Sequence, residues 1–271
     1  MKEYQLSIDN ITITYFDQHP EKEHTLLFIH GNSLNKSSFI AQFNAKQFEN
    51  YRLIALDLPG HGNAGKGEMY HVPFFADTLL RFMKELNLEN VILVGHSLGG
   101  HIAIEVAGTD SNNLSGIAII GCPPLGKPAD LASAFLPNPS GRLLFQQELT
   151  PNEIDELAGG IAYKSVKNQV VESIEKADSV SRLQLGQSIM EENYMDELKI
   201  LATINIPYAV IIGEDDSFCN LSYFEKYTFE NQWRQKINRI KKGSHSPMLD
   251  TSISFNSTLF SFISEITANE Q

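Results

Sequence analysis

Residues 91–107 read VILVGHSLGGHIAIEVA. Residues 91–94 are a short apolar run, as in a buried strand of a parallel sheet, and residues 98–107 have the pattern of a helix. Between them lies a G-x-S-x-G motif, Gly95-His96-Ser97-Leu98-Gly99. A serine on such a sharp turn is held in strained backbone with its hydroxyl standing clear. The stretch therefore predicts that Ser97 is a nucleophile.

The motif also fits a purely structural role, a glycine-rich turn that lets a helix pack on a strand. The apolar strand before it and the helix after it favour the catalytic interpretation. A helix that begins at Leu98 also directs its positive end towards Ser97, and this stabilises negative charge that develops there.

Strands and helices alternate on both sides of this turn, up to about Ile120 and again from Ile206. This alternation predicts an α/β fold with a mostly parallel sheet. The chain begins with a predicted hairpin, in which strands at 4–7 and 11–16 are joined by an Asp9-Asn10 turn. The other predicted strands are at 25–30, 51–56, 116–120, 206–212 and 235–240, and the other predicted helices at 37–48, 73–86, 221–230 and 249–266.

The alternation stops between Cys122 and Asp196, where five prolines crowd residues 123–139 and the rest has only helical patterns. We therefore expect residues 1–121 and 197–271 to form the α/β core and residues 122–196 to form a helical cap. Apolar residues of the cap are candidates for lining an acyl pocket, although each also fits simple packing of the cap on the sheet: Phe135, Leu136, Leu143, Leu144, Phe145, Ile154, Leu157 and Ile161.

A serine nucleophile needs a histidine base, and the base needs an acid that orients it. His245 is the only histidine after His101, and it follows the last predicted strand, where ligand sites of parallel sheets are built. The acid should follow the preceding strand, where Glu214, Asp215 and Asp216 stand in a row. We predict Asp216 as the acid, with Asp215 as the second choice.

Acyl transfer also needs two backbone N–H groups that bind the oxyanion. One is expected from the residue after the nucleophile, Leu98, and the other from the loop after the strand that ends at His30. That loop begins Gly31-Asn32, so Asn32 is the predicted second donor, and its side chain is a further candidate donor. The alternative is a simple turn, in which Gly-Asn is common.

Several other conspicuous residues are expected to be structural. The loop DLPGHG, residues 57–62, lacks the pattern of a phosphate-binding loop, and we interpret Asp57 and His61 as parts of a tight turn beside the pocket. His96 is expected to pack within the serine turn, and His101 within the core. Because neither HExxH nor CxxC spacing occurs, we expect neither a catalytic metal ion nor another cofactor.

The composition excludes further classes of function. The chain has 271 residues and a formal net charge of −12, with scattered lysines, which argues against nucleic-acid binding. It has no run of 18 apolar residues, and the opening MKEYQLSIDN lacks the apolar core of a secretory signal, so we expect a cytoplasmic protein without membrane spans. The two cysteines, Cys122 and Cys219, form no disulfide framework.

The stretches HGNSLNKSSF, DLPGHG, VGHSLGGHIAIE, GEDD and GSHSP have the order and spacing of the α/β-hydrolase superfamily, which the chain resembles over essentially its whole length. The resemblance implies an eight-stranded, mostly parallel sheet flanked by helices, with a helical cap. It also implies a catalytic triad of Ser97, His245 and Asp216.

A narrower resemblance rests on HGNS with Phe39 and Gln42, on DLPGHG and SLGGHIAIE, and on the GCPP stretch at residues 121–124. These stretches look like the serine-dependent N-acyl-homoserine lactone hydrolases of this fold, which act in quorum quenching. The resemblance implies a narrow acyl tunnel under the cap and Asn32 near the oxyanion. The acid of that group can be Glu, so Asp216 is a mild departure.

Other activities of the same fold stay open at this point. Haloalkane dehalogenases and epoxide hydrolases have Asp at the nucleophile position, so Ser97 argues against both. General carboxylesterases, hydrolases of C–C bonds and perhydrolases share the serine triad. A small-molecule receptor that keeps the triad is the alternative from another class. The preferred prediction is a serine hydrolase that cleaves an ester or lactone bond of a small acylated molecule, with ring opening of an N-acyl homoserine lactone as the favoured reaction.

Overall fold

A computed structural model describes residues 1–268 of the chain. Within this range eight strands form one sheet in the order β1-β2-β4-β3-β5-β6-β7-β8. The strands are β1 (Lys2–Ile8), β2 (Ile11–Gln18), β3 (Thr25–Ile29), β4 (Arg52–Leu56), β5 (Val91–His96), β6 (Leu114–Ile120), β7 (Tyr208–Gly213) and β8 (Gln232–Ile240).

The sheet is mostly parallel, as the sequence predicts. β1 pairs antiparallel with β2, and β2 pairs antiparallel with β4, whereas every other neighbouring pair is parallel. The predicted turn between β1 and β2 is also present, with positive φ at Asp9 (49°) and Asn10 (66°). Two such residues match the twist of a tight hairpin.

Helices cover both faces of the sheet. On β6, a side chain at Gly116 would point towards Phe262 and Ile266, while Ile119 points towards Gly100, so the two faces pack on different helices. The helices are α1 (Ile40–Phe43), α2 (Val72–Glu85), α3 (Leu98–Thr109), α4 (Leu131–Ala134), α5 (Pro151–Ile161), α6 (Lys167–Lys176), α7 (Ser179–Met190), α8 (Glu197–Thr203), α9 (Leu221–Phe224), α10 (Pro247–Asp250) and α11 (Ser252–Ala268).

The predicted helix at 37–48 is wrong in its length. The segment is a 3₁₀ turn (Lys36–Phe39), the single turn α1 and a second 3₁₀ turn (Lys46–Phe48). Ala45 ends the helical path because its backbone is extended, with φ −87° and ψ 117°. Burial of Phe39, Phe43 and Phe48 explains the apolar spacing that suggested one continuous helix.

The region before the last strand also differs from the prediction. The helix expected at 221–230 stops at Phe224, and β8 begins at Gln232 rather than Gln235. Arg234 and Gln235 have positive φ, 55° and 47°, and the pairing with β7 shifts register there. This irregularity interrupts the alternation of apolar and polar residues that is typical of a strand, so the first half of β8 is not evident from the sequence.

The helices α4–α7 and a 3₁₀ helix (Pro139–Phe145) lie between β6 and β7, within the predicted cap of residues 122–196, here called the cap segment. α5 packs on α6 and on the 3₁₀ helix, which also packs on α7. The next helix, α8, packs instead on α3. The chain therefore leaves the sheet after β6 and returns to it before β7.

The turn from β5 to α3 brings backbone segments into very close contact. Ser97 has a strained backbone with φ 51° and ψ −116°. A Cβ atom at Gly99 would lie 2.1 Å from the carbonyl oxygen of Ile29, and one at Gly95 would lie 2.2 Å from that of Gly99. Only glycine fits at these two positions, because the atoms in the way belong to the backbone and cannot rotate aside.

We expect Gly99→Ala to lower the free energy of unfolding by at least about 3 kcal/mol, because the added methyl group forces α3 away from β3. Urea unfolding measures the effect. Gly141→Ala is the matched control, since a Cβ atom there meets nothing within 4 Å. Equal stability of the two variants would show that the close contact at Gly99 does not constrain the fold.

Candidate active site

His245 and Asp216 form a buried hydrogen-bonded pair. Asp216 lies in the loop after β7 and His245 in the loop after β8, and their side chains are only 0% and 5% exposed. His245 Nδ1 donates to Asp216 Oδ2 at 2.8 Å. Asp216 Oδ1 accepts the backbone N–H groups of Phe218 (2.8 Å) and Cys219 (3.1 Å). The carboxylate thus holds the imidazole in one orientation and one tautomer.

Burial alone would raise the pKa of the Asp216 carboxyl. The charge and hydrogen bond of His245 and the two backbone N–H groups outweigh burial and hold this pKa below its ordinary value. Asp216 is therefore ionised at neutral pH. Asp215, the second choice from the sequence, is exposed and accepts the hydroxyl of Tyr163 at 2.5 Å instead.

The loop that carries His245 is braced by the serine turn. His96 Nε2 donates to the carbonyl oxygen of His245 at 2.9 Å, and the two rings lie 4.9 Å apart. Gly121 leaves room for the imidazole, because a Cβ atom there would lie 3.2 Å from His245 Nδ1. His96 thus packs within the turn, as predicted, and also fixes the position of the histidine loop.

The structure brings Ser97 and His245 to one small cavity of about 40 Å³, here called the Ser97 cavity. Leu98 and Asn32 lie on its wall. As the first residue of α3, Leu98 has no acceptor for its N–H within the helix. The wall consists of Asn32, Ser97, Leu98, His101, Gly121, Pro123, Phe135, Leu144, Phe145, Leu185, Ile189, Phe218 and His245.

The side chain of Asn32 has a different role from the one expected. Its Nδ2 donates to the carbonyl oxygen of Leu144 in the cap segment at 2.7 Å. The side chain therefore joins the loop after β3 to the cap segment, and only the backbone N–H of Asn32 is left as the predicted oxyanion donor.

A larger apolar cavity of about 610 Å³ adjoins the Ser97 cavity and is here called the cap cavity. Five residues belong to the walls of both: Phe135, Leu144, Phe145, Ile189 and Phe218. The remaining wall of the cap cavity consists of Leu131, Leu136, Pro137, Asn138, Gly141, Arg142, Leu183, Gly186, Gln187 and Met190.

Half of the eight apolar residues proposed from the sequence line this space. Four do so, namely Phe135, Leu136, Leu144 and Phe145. The other four pack into the apolar core instead, namely Leu143, Ile154, Leu157 and Ile161. α7 also contributes to the wall, through Leu185 and Ile189 of the Ser97 cavity, and the sequence did not predict this.

Comparison with known proteins shows the family to which the chain belongs. A family model of the alpha/beta hydrolases matches residues 26–253. The chain belongs to the alpha/beta hydrolase family. A curated relative from Mycoplasma genitalium, named "Putative esterase/lipase 1", is 22% identical over 247 residues, which cover 88% of this chain and 89% of the relative. These findings support a hydrolase.

Solved structures of this hydrolase family include close matches to the whole chain. A mutant of the N-acyl homoserine lactonase AidH, complexed with N-hexanoyl homoserine lactone, superposes with a TM-score of 0.94 and 25% identity, and the match covers 99% of each chain. AidH complexed with N-butanoyl homoserine gives a TM-score of 0.93 and 25% identity, with 98% of each chain covered. A bromoperoxidase from Bacillus anthracis (TM-score 0.83, 23% identity, 97% of this chain and all of that chain) shares the fold.

Among residues 1–268 of the hydrolase, no helix is both long and apolar enough to cross a membrane.

The DLPGHG loop of the hydrolase is tied down by a buried ion pair. Lys36 Nζ donates to Asp57 Oδ2 at 2.6 Å, and Asp57 also accepts from Thr14 Oγ1 and from the backbone N–H groups of Lys36 and Asn63. Neither Asp57 nor His61 belongs to the wall of the Ser97 cavity. This agrees with the structural interpretation of both residues.

His101 takes part in a second buried ion pair that the sequence does not reveal. Its Nδ1 donates to both carboxylate oxygens of Glu197, at 2.8 and 3.0 Å. Glu197 is fully buried and also accepts the backbone N–H of Leu125. Burial lowers the pKa of His101, but Cys122 and Glu197 raise it well above its ordinary value. Partners 96 positions apart leave no local signal in the sequence.

Three other histidines of the core are held neutral. Burial lowers the pKa of His30 from 6.5 to about 4, and those of His61 and His96 from 6.5 to about 3. The unfolded chain takes up protons at these residues near pH 6.5, whereas the folded chain does not. Stability is therefore lost as the pH falls below 6.5.

Between pH 6 and pH 5 we expect the free energy of unfolding to fall by about 1.4 kcal/mol per pH unit for each of these three histidines. His101 adds little slope there, because it is protonated in the folded chain and mostly protonated in the unfolded chain. Urea unfolding at several pH values measures the total, and His61→Phe should remove one histidine's share. A free energy of unfolding that stays constant across this interval would contradict neutral burial.

Proposed function

We propose that this hydrolase cleaves an ester or lactone bond of a small acylated substrate, and that its preferred reaction is ring opening of N-acyl homoserine lactones. One observation carries the proposal: Ser97, His245, Asn32 and Leu98 share one cavity, and Asp216 accepts a hydrogen bond from His245. A nucleophile, an oriented base and two oxyanion donors are the groups that acyl transfer requires.

Proton transfer follows from the tautomer of His245. Because Nδ1 carries the proton that binds Asp216, the lone pair on Nε2 is free to take the proton of the Ser97 hydroxyl. Ser97 Oγ then attacks the carbonyl carbon of the substrate. Asp216 stays ionised and stabilises the imidazolium that forms.

The attack creates a tetrahedral oxyanion, which the backbone N–H groups of Asn32 and Leu98 bind. Loss of one such donor raises the barrier by about 3–4 kcal/mol in serine hydrolases. When the intermediate collapses, the C–O bond of the lactone ring breaks, and the ring oxygen takes the proton from His245. The substrate is then joined to Ser97 by an ester. A water molecule that His245 deprotonates attacks this ester and releases N-acyl homoserine.

The acyl chain is assigned to the cap cavity. The Ser97 cavity measures about 40 Å³, which leaves the chain no room beside the reacting carbonyl, whereas the adjoining cap cavity measures about 610 Å³ and is lined mainly by apolar side chains. The likeness to AidH in complex with N-hexanoyl homoserine lactone supports the lactone as substrate. Residues 122–196 thus act as a cap that selects the acyl chain.

A general carboxylesterase is the second candidate, and the relative named as an esterase/lipase favours it. It would use the same groups in the same steps. The two candidates differ in the leaving group, which is part of the ring in a lactone and a separate alcohol in an ester.

Initial rates on two matched panels separate the candidates. One panel contains N-acyl homoserine lactones of several chain lengths, and the other contains p-nitrophenyl esters of the same acids, with Ser97→Ala as control. We expect high kcat/KM on the lactones and weak turnover of the esters. Strong ester turnover with inert lactones would identify a carboxylesterase. Binding of lactones with no turnover would indicate a receptor.

The acid is tested by a pair of neighbouring variants. Asp216→Asn should lower kcat at least about 10³-fold, because the amide cannot hold His245 in the required tautomer. Asp215→Asn should leave kcat within about threefold, since that side chain is exposed. The reverse result would assign the acid to Asp215.

The acyl assignment is tested at Ile189, which lies on the wall shared by the two cavities. For the unmodified chain, kcat/KM should rise up to about fourfold per added methylene, because each buried CH₂ contributes about 0.8 kcal/mol. Ile189→Trp should abolish this rise. Because Ile189 also borders the Ser97 cavity, the readout is the dependence of kcat/KM on chain length and not the absolute rate. Ile253→Trp is the control, because Ile253 is 87% exposed on α11. An unchanged chain-length profile in Ile189→Trp would refute the assignment.

A further inference from the structure

We propose that Asp216, Cys219 and His245 form an inhibitory binding site for a thiophilic divalent cation such as Zn²⁺. The inhibition rests on the proposed catalytic role of His245, whereas the binding does not. A cation bound there would regulate the reaction by inhibition and would take no part in the chemical steps.

The three side chains converge on one point. A carboxylate oxygen of Asp216, Sγ of Cys219 and Nδ1 of His245 all lie within 4.8 Å of one another. His245 Nδ1 is 2.8 Å from Asp216 Oδ2 and 4.0 Å from Cys219 Sγ. Ligand atoms around tetrahedral zinc lie about 3.3–3.6 Å apart, given its usual bond lengths to nitrogen, oxygen and sulfur. The separations of His245 Nδ1 from Asp216 Oδ2 and from Cys219 Sγ therefore need to change by only about half an ångström to match zinc geometry. The separation between Sγ and the carboxylate oxygen, at most 4.8 Å, needs to shrink by no more than about 1.2 Å.

The donor set suits zinc in type as well as in position. Imidazole, thiolate and carboxylate are its usual protein ligands. Asp216 Oδ1 is already occupied by the backbone N–H groups of Phe218 and Cys219, which leaves Oδ2 directed at the site. Hydrogen bonds of this kind fix a coordinating carboxylate in place.

The charges balance when a divalent ion is present. The Asp216 carboxylate and a Cys219 thiolate together neutralise Zn²⁺, so the buried site has no net charge. Without a cation, the Cys219 thiol donates to the carbonyl oxygen of Gly121 at 3.3 Å.

Binding displaces two protons. The bond from zinc to Cys219 Sγ replaces the thiol proton, which leaves to solvent. The bond to His245 Nδ1 replaces the proton there, and Nε2 takes up that proton so that the imidazole stays neutral. Nε2 then has no lone pair with which to accept the proton of Ser97. Occupancy therefore stops catalysis and leaves the fold unchanged.

Zinc inhibition is measured after incubation of the enzyme with buffered free Zn²⁺, because all three ligand residues are buried and the Phe218 ring lies 5.1 Å from that of His245. Initial rates on the best substrate of the two panels are normalised to the zinc-free rate of each variant. Cys122→Ala is the matched control because Cys122 is the other buried cysteine. We expect the unmodified chain and Cys122→Ala to respond alike, and Cys219→Ala to need at least tenfold more zinc. If zinc inhibits Cys219→Ala at the same concentration as the unmodified chain, the proposed site is wrong.

Cadmium provides a readout that needs no turnover. We expect Cd²⁺ to produce a thiolate-to-metal absorption band, one ion per chain, in the unmodified chain, in Cys122→Ala and in Ser97→Ala. The band should be absent in Cys219→Ala and in Cys219→Ser, which keeps a hydrogen-bonding group if the alanine variant does not fold. Absence of the band from the folded, unmodified chain refutes the site. If the band is present but the unmodified chain has no hydrolytic activity, the metal site is supported and only the proposed function is rejected.

Discussion

α3 approaches the ends of β3 and β5 so closely that only glycine fits at the contact, and this approach positions the serine turn and the loops around it. Gly95 and Gly99 carry no side chain where a Cβ atom would lie 2.2 and 2.1 Å from backbone carbonyl groups. The chain can therefore turn sharply enough to hold Ser97 at φ 51°. The first N–H groups of α3 then lie beside the serine, where they favour negative charge.

The neighbouring loops are built around this turn. His96 donates to the carbonyl oxygen of His245, and Gly121 leaves space for the imidazole. A Cβ atom at Gly213 would lie 2.0 Å from the carbonyl oxygen of Ser244, so the loops after β7 and β8 also pack directly on each other. Small residues at the strand ends thus let three loops meet at one point of the sheet edge.

The sheet, the serine turn and the convergence of Ser97, Asp216 and His245 can be predicted from the sequence, because each leaves a local pattern beside an apolar strand. Features that depend on tertiary contacts overriding local patterns cannot be predicted in this way. The segment around Phe43 is helical for only one turn, since its apolar residues face the core through separate turns. The ion pair of His101 with Glu197 and the approach of Cys219 to His245 join distant parts of the chain, so no spacing indicates them.

The proposed function requires Ser97 to be the nucleophile of a lactone-opening reaction. Peptide mapping by mass spectrometry, after acid quench during turnover of an N-acyl homoserine lactone, tests it most directly. Ring opening expels no leaving group, so the peptide containing Ser97 should gain the full mass of the lactone. Continued turnover by Ser97→Ala, with no adduct on this peptide in the unmodified chain, would contradict it.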